Sequence, residues 1–192
     1  MGSIVSNGAT HLLTGENQTA LTQGYYSDYT KFSDSEAEAI RRYYDYMIRY
    51  ENLFFDPELQ DVTMTHTGWD NYEYQCTSHK VSSYGEAGKI WMILREKDYR
   101  KCIYLLNLCG QSEDYWNEGK EEPNIQKDIK FTVQVDTPVE KICFSTPDGE
   151  NMDAIELSFT ERATKTGKFI DFTVPSLNYW TTIWIDTRKE TI

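Results

Sequence analysis

Residues 89–108, KIWMILREKDYRKCIYLLNL, contain two apolar runs separated by the charged triplet Glu96-Lys97-Asp98. Side chains on a strand alternate between faces. Ile90, Met92 and Leu94 therefore share one face and Trp91 and Ile93 the other, and on the return run Ile103 and Leu105 oppose Cys102, Tyr104 and Leu106. A half-solvated antiparallel strand alternates apolar with polar, so a hairpin that is apolar on both faces needs cover on both sides. This requirement places the hairpin at the centre of a layered β structure, with its turn predicted at Glu96-Lys97-Asp98.

Beyond Pro57 the period-two pattern persists. Further strands are predicted over 62–66, 72–76, 129–135, 139–144, 154–159, 169–174 and 181–185, separated by turn signals such as Thr137-Pro138, Pro147-Asp148-Gly149 and Thr166-Gly167. Many short strands with regular punctuation indicate a mainly β fold, an antiparallel Greek-key β-sandwich over residues 58–192. Residues 1–57 read differently. Ile4-Val5 suggests a strand followed by a long polar loop. Ser33-Asp34-Ser35-Glu36 has capping-box spacing, and Ile40, Tyr43, Tyr44, Met47, Tyr50 and Phe54 continue it as one tyrosine-rich helical stripe ended by Asp56-Pro57. A strand, a loop and one helix cannot close a core of their own. The segment either docks on the sandwich or is the last unit of a larger domain.

Composition narrows the partners. With 31 acidic residues against 19 Lys and Arg the net charge is −12, a field that repels phosphate backbones and anionic lipid, so nucleic acid and membrane are excluded while neutral ligands such as sugars are not. No apolar run is long enough to cross a bilayer, and the first residues lack the pattern of a secretion signal. The four cysteines, Cys76, Cys102, Cys109 and Cys143, show no metal-ligand spacing. Cys102 and Cys143 lie among apolar neighbours and read as buried thiols. Asp148, Glu150, Asn151 and Asp153 gather oxygen side chains, but their order is not that of a calcium loop. His66 and His79 have no partner spacing for a metal or a triad. Neither a metal nor a cofactor is expected.

Two groups of segments carry a family resemblance. Gly8-Ala9-Thr10-His11-Leu12-Leu13-Thr14-Gly15-Glu16, with Tyr43-Tyr44-Asp45-Tyr46 and Tyr50-Glu51-Asn52-Leu53-Phe54-Phe55-Asp56-Pro57, resembles the end of the catalytic barrel of glycoside hydrolase family 66. Lys89-Ile90-Trp91, Leu105-Leu106-Asn107-Leu108, Trp116-Asn117 and Phe172-Thr173-Val174-Pro175-Ser176-Leu177-Asn178-Tyr179-Trp180 resemble the β-sandwich that follows that barrel. The family comprises dextranases and cycloisomaltooligosaccharide glucanotransferases. The resemblance implies a secreted or cell-surface retaining enzyme acting on α-1,6-glucan, with an Asp nucleophile and a Glu acid/base on earlier barrel strands, upstream of this sequence. Residues 1–57 would then be the last strand, loop and helix of a truncated (β/α)8 barrel.

In that reading His11 and Glu16 fall on the family's barrel-mouth His and Asp, Glu16 standing one methylene longer, and would bond glucose hydroxyls. Trp69 and Trp116, with Tyr115, lie in predicted loops and offer flat platforms for sugar rings. Retaining hydrolysis needs two carboxyls about 5 Å apart, and no pair here falls on elements that would face each other. The expectation is a non-catalytic C-terminal portion that braces the barrel, with α-1,6-glucan oligosaccharide or polysaccharide and the missing barrel as its partners. The alternatives are a free-standing carbohydrate-binding module and a small enzyme in its own right.

Overall fold

The structure is a computed structural model that describes residues 1–10, 15–21, 29–68, 70–115 and 119–188. The chain divides at Asp56/Pro57 into two compact units. The first begins with one helical turn, α1 (Gly2–Ser6), where the β-branched pair Ile4-Val5 suggested a strand. Local bonds decide the outcome: the Asn7 side chain donates to the Ser3 carbonyl at 2.7 Å and Gly8 N–H donates to Val5 O at 2.8 Å. Gly2, Val5 and Ser6 are buried. Short strands β1 (Thr19–Leu21) and β2 (Tyr29–Lys31) pair antiparallel within the stretch read as loop.

Helix α2 (Asp34–Arg49) starts at the predicted capping box. Glu36 N–H donates to Ser33 Oγ at 3.3 Å and Ser33 N–H donates to Glu36 Oε2 at 2.8 Å, satisfying two otherwise orphaned amides. The helix does not run on to Asp56. It breaks at Tyr50 (φ −116°, ψ 30°) and resumes as the single turn α3 (Glu51–Phe54). The buried set keeps helical spacing across the break, as Tyr46, Met47, Tyr50, Leu53 and Phe54, while Tyr43 and Tyr44 are half-buried. The Tyr46 ring lies 5.0 Å from Tyr50 and 5.7 Å from Phe54, both tilted as aromatic pairs prefer.

The second unit contains β3 (Gln60–Asp61), α4 (Thr63–His66), β4 (Tyr74–Cys76), β5 (Val81–Ser82), β6 (Ile90–Lys97), β7 (Arg100–Asn107), β8 (Gln126–Val135), β9 (Val139–Ser145), β10 (Ile155–Leu157), β11 (Phe159–Thr164), β12 (Gly167–Leu177) and β13 (Trp180–Thr187). One sheet has the order β10-β9-β13-β7-β6-β3, with β5 running parallel to β6, and the other has the order β11-β12-β8-β4. All other pairs are antiparallel. Ile90, Met92, Leu94, Ile103 and Ile183 from the first sheet and Ile129, Phe131, Val133, Ile170 and Phe172 from the second form one core. The central hairpin is buried on both faces: Ile93, Cys102 and Tyr104 on the far side are no more than 1% exposed. Its pairing of Lys97 with Arg100 leaves Asp98-Tyr99 as a two-residue turn, one position later than the charge pattern suggested.

Three differences from the sequence reading have local causes. The predicted strand 62–66 is the helical turn α4, because the Asp61 carboxylate accepts the Thr63 N–H at 2.8 Å and the Val62 carbonyl accepts His66 N–H at 3.0 Å. The predicted strand 154–159 is two strands, β10 in one sheet and β11 in the other, with the crossing at Ser158. Strand β12 passes through Pro175, where the chain was expected to stop. Neither side needs the missing N–H there: β11 reaches only to Phe172, and pairing with β8 skips the position opposite Asp128, whose backbone is left-handed (φ 53°).

The Thr63 hydroxyl takes over where β3 ends. It accepts Leu94 N–H at 2.9 Å and donates to Leu94 O at 3.3 Å. Thr63→Val keeps the shape but orphans a buried amide, so a loss of about 2 kcal/mol is expected in urea unfolding. An unchanged midpoint would show that the hydroxyl carries no such load.

Candidate functional site

Glu16 opens a tight turn, Glu16–Gln18, and is exposed. Asn17 (φ 56°) and Gln18 (φ 58°) are both left-handed, an uncommon pair for residues with a Cβ. The turn is closed by Gly15 N–H to Thr19 O at 2.6 Å and by Thr19 Oγ1 to Glu16 O at 2.6 Å. It therefore presents the Glu16 carboxylate to solvent from a bonded backbone. Of the other predicted contacts, His11, Trp69 and Trp116 lie outside the described residues. Tyr115, beside the last of these, is 64% exposed, and its N–H donates to Glu113 Oε2 at 2.6 Å. Lys120, hydrogen-bonded to Glu113, holds that carboxyl below its ordinary range.

The carboxylates most involved in the second unit hold structure in place. Asp186 takes Arg100 Nε at 2.7 Å with Lys141 at 3.8 Å, Glu96 takes Lys101 at 2.8 Å and the Tyr74 hydroxyl, and Asp148 Oδ2 accepts the backbone N–H groups of Tyr179 and Trp180 at 2.9 and 2.7 Å. Asn151 Oδ1 is used by Asp153 N–H at 3.1 Å, so the acidic turn spends oxygens on its own and neighbouring backbone. Among the described residues no three His, Cys, Asp or Glu side chains are placed to hold a metal. Among the described residues, Glu36, Glu38, Glu86 and Glu113 are pulled down by hydrogen-bond donors. A general acid for glycoside cleavage needs the opposite shift.

Asn107, a residue the sequence singled out only within a motif, ties several segments together. It is 6% exposed, and its Nδ2 donates to Asn178 O at 2.7 Å, Asn124 O at 2.9 Å and Leu177 O at 3.4 Å, while Oδ1 accepts Cys109 N–H at 3.0 Å. Gly110 follows with φ 90°, a left-handed conformation that favours glycine, and a Cβ there would press on the Asn124 side-chain amide at 2.8 Å.

The outer face of the four-stranded sheet was not singled out either, although alternation over 129–135 in β8 and 170–174 in β12 marks it. Cross-strand register aligns Thr160, Asp171, Thr132 and Gln75 in one row, with Lys130 beside Thr173 in the next. Asp171 is fixed on both oxygens, by Thr132 Oγ1 and by Arg162 Nε at 2.8 Å. A cavity of about 720 Å³ opens over this row, reaching from Thr77 and Lys130 to the crossing segment Glu156–Phe159.

The sequence profile of Glycosyl hydrolase family 66 matches residues 2–184. The chain belongs to this family. Two cycloisomaltooligosaccharide glucanotransferases of Niallia circulans are 29% and 26% identical to it over 183 and 185 residues. These matches cover 94% and 95% of this chain but only 18% and 19% of the relatives, so the chain spans less than a fifth of their length. A crystal structure of a Paenibacillus sp. cycloisomaltooligosaccharide glucanotransferase, complexed with cycloisomaltoheptaose, superposes with a TM-score of 0.80 at 24% identity, over 95% of this chain and 27% of that one. That likeness establishes that the family 66 chain shares its fold with part of a much longer enzyme.

Proposed function

We propose that this family 66 chain is the C-terminal, non-catalytic portion of a retaining enzyme acting on α-1,6-glucan. The observation that carries the reading is the asymmetry of coverage: nearly all of this chain aligns, yet with under a fifth of each curated relative. Residues 1–57 correspond in this reading to the last strand, loop and helix of a (β/α)8 barrel, and residues 58–192 to the Greek-key sandwich that braces it. His11 and Glu16 would contact substrate at the barrel mouth, with Trp69 and Trp116 as sugar platforms. The parent enzyme would work at the cell surface or outside it, where polymeric glucan is found.

Incubation of the 192-residue chain with dextran and with isomaltooligosaccharides, followed by assay for reducing ends and cyclic products, tests this directly. No release above buffer is expected. Turnover by the isolated chain would overturn the reading and identify a small enzyme.

A further inference from the structure

The cavity on the outer face of the four-stranded sheet has a lining that none of the roles above uses. It crosses β8, β12 and β11 and reaches Thr77, whose N–H is bonded to Lys130 O at 2.9 Å. At the ordinary strand separation these steps span about 14 Å, room for an extended oligomer rather than a single small molecule. Four threonines line it: Thr132 and Thr77 donate their hydroxyls to Asp171 and to Lys130 O, while Thr160 and Thr173 expose hydroxyls that both donate and accept. Asp171 stands among them with both oxygens oriented by Thr132 and Arg162, so an acceptor is fixed before any ligand arrives. Lys130, across from Thr173, supplies a donor. At the far end β11 has left the sheet edge, and Ile155, 52% exposed, with the partly buried Phe159 adds apolar surface to the notch it leaves.

We infer that this trough docks a segment of neutral α-1,6-glucan. Preset donors and acceptors around apolar patches match a polyhydroxylated chain, whose rings present hydroxyls at their edges and C–H groups on their faces. The net charge of −12 disfavours a polyanion in the same place. The inference rests on the α-1,6-glucan reading above, and adds to it a binding surface carried by the sandwich itself rather than by the predicted barrel-mouth or loop residues.

Electrophoresis of the full chain through native gels containing dextran, or another neutral polysaccharide in parallel, tests it. Dextran retards the wild type, Asp171→Ala weakens retardation at least tenfold, and Thr173→Val, an exposed change with an unaltered thermal midpoint, weakens it about threefold. Retardation that survives both substitutions but is lost in Trp69→Ala or Trp116→Ala overturns the trough and leaves the glucan reading intact. Retardation only by a glucan of other linkage, lost in Asp171→Ala, overturns the α-1,6 assignment in both readings. No retardation by any polysaccharide overturns the trough alone, since the family assignment stands on sequence.

Discussion

Asn107→Ala is expected to destabilise the second unit by about 2–3 kcal/mol in urea unfolding, because truncating a buried amide removes at once the partner of several part-buried backbone groups. The wild-type amide serves Asn124 O and Asn178 O at 2.9 and 2.7 Å and receives Cys109 N–H at 3.0 Å. A neutral hydrogen bond contributes only about 1 kcal/mol net, but each buried group left without a partner costs roughly 1–3 kcal/mol. Asn107→Asp gives a sharper signature. At neutral pH it sets a carboxylate against carbonyl oxygens, which only the protonated acid can serve as donor. The folded form therefore holds that proton to a higher pH than the unfolded chain, whose aspartates titrate near about 3.9. Stability gained from the protonated acid is complete below that value and lost as pH rises through the folded one. Relative to wild type, the Asn107→Asp variant should thus recover stability on acidification from pH 7 to 4. A pH-independent deficit would mean that the site relaxes and the amide is not the tie described.

At the alkaline end Cys102 should dominate. Burial pushes its thiol up to about 12 from an ordinary value of 9.0, outweighing the downward pull of the Tyr104 hydroxyl and the Arg100 and Arg95 guanidiniums. The unfolded chain then loses this proton first, so the folded state binds more protons and stability falls as pH rises. The contribution is intact below pH 9.0, declines above it and is exhausted near 12. Three such steps at about 1.4 kcal/mol each amount to about 4 kcal/mol, of which about 2 kcal/mol is gone by pH 10.5. Tyr74 and Tyr104, also raised well above their usual range chiefly by burial, steepen the same limb. Urea unfolding under reducing conditions at pH 7 and 10.5 should show Cys102→Ala less stable than wild type at pH 7, through the cavity, with the difference narrowing by about 2 kcal/mol at pH 10.5. A constant difference would show that the thiol ionises as readily folded as unfolded.

Much of the fold was legible because its signals are local or periodic. Ser33 and Glu36 are three apart and cap a helix whatever lies around them. The double-faced hairpin could only sit between covering layers, and its residues are buried on both sides. The failures fall where a distant partner or a single side chain overrides the pattern. Thr63 leaves strand geometry because a single side chain, the Asp61 carboxylate, takes its N–H, and its hydroxyl is then bonded to Leu94, 31 residues away. Residues 154–159 alternate as one strand, and nothing in that alternation says that the chain changes sheets at Ser158. Tyr50 interrupts a helix whose apolar spacing runs on unbroken.

The site was less legible than the fold for the same reason. Asn107 and the segment Leu177-Asn178-Tyr179 were each recognised as motif, but 70 residues separate them and only the folded chain brings the amide to those carbonyls. Asp171 and Thr132 likewise meet through register, which depends on the pairing of β8 with β12. Glu16 was singled out through the resemblance, and its left-handed turn is only half signalled, since Asn17 is a residue type that accepts that conformation and Gln18 is not.

The crossing at Ser158 has a mechanical consequence. Residues on its two sides are stitched to opposite layers, Glu156 to Cys143 and Thr160 to Asp171, only four positions apart. Sliding one layer past the other would tear this short tether out of at least one of them. A load applied to either sheet is therefore shared by both.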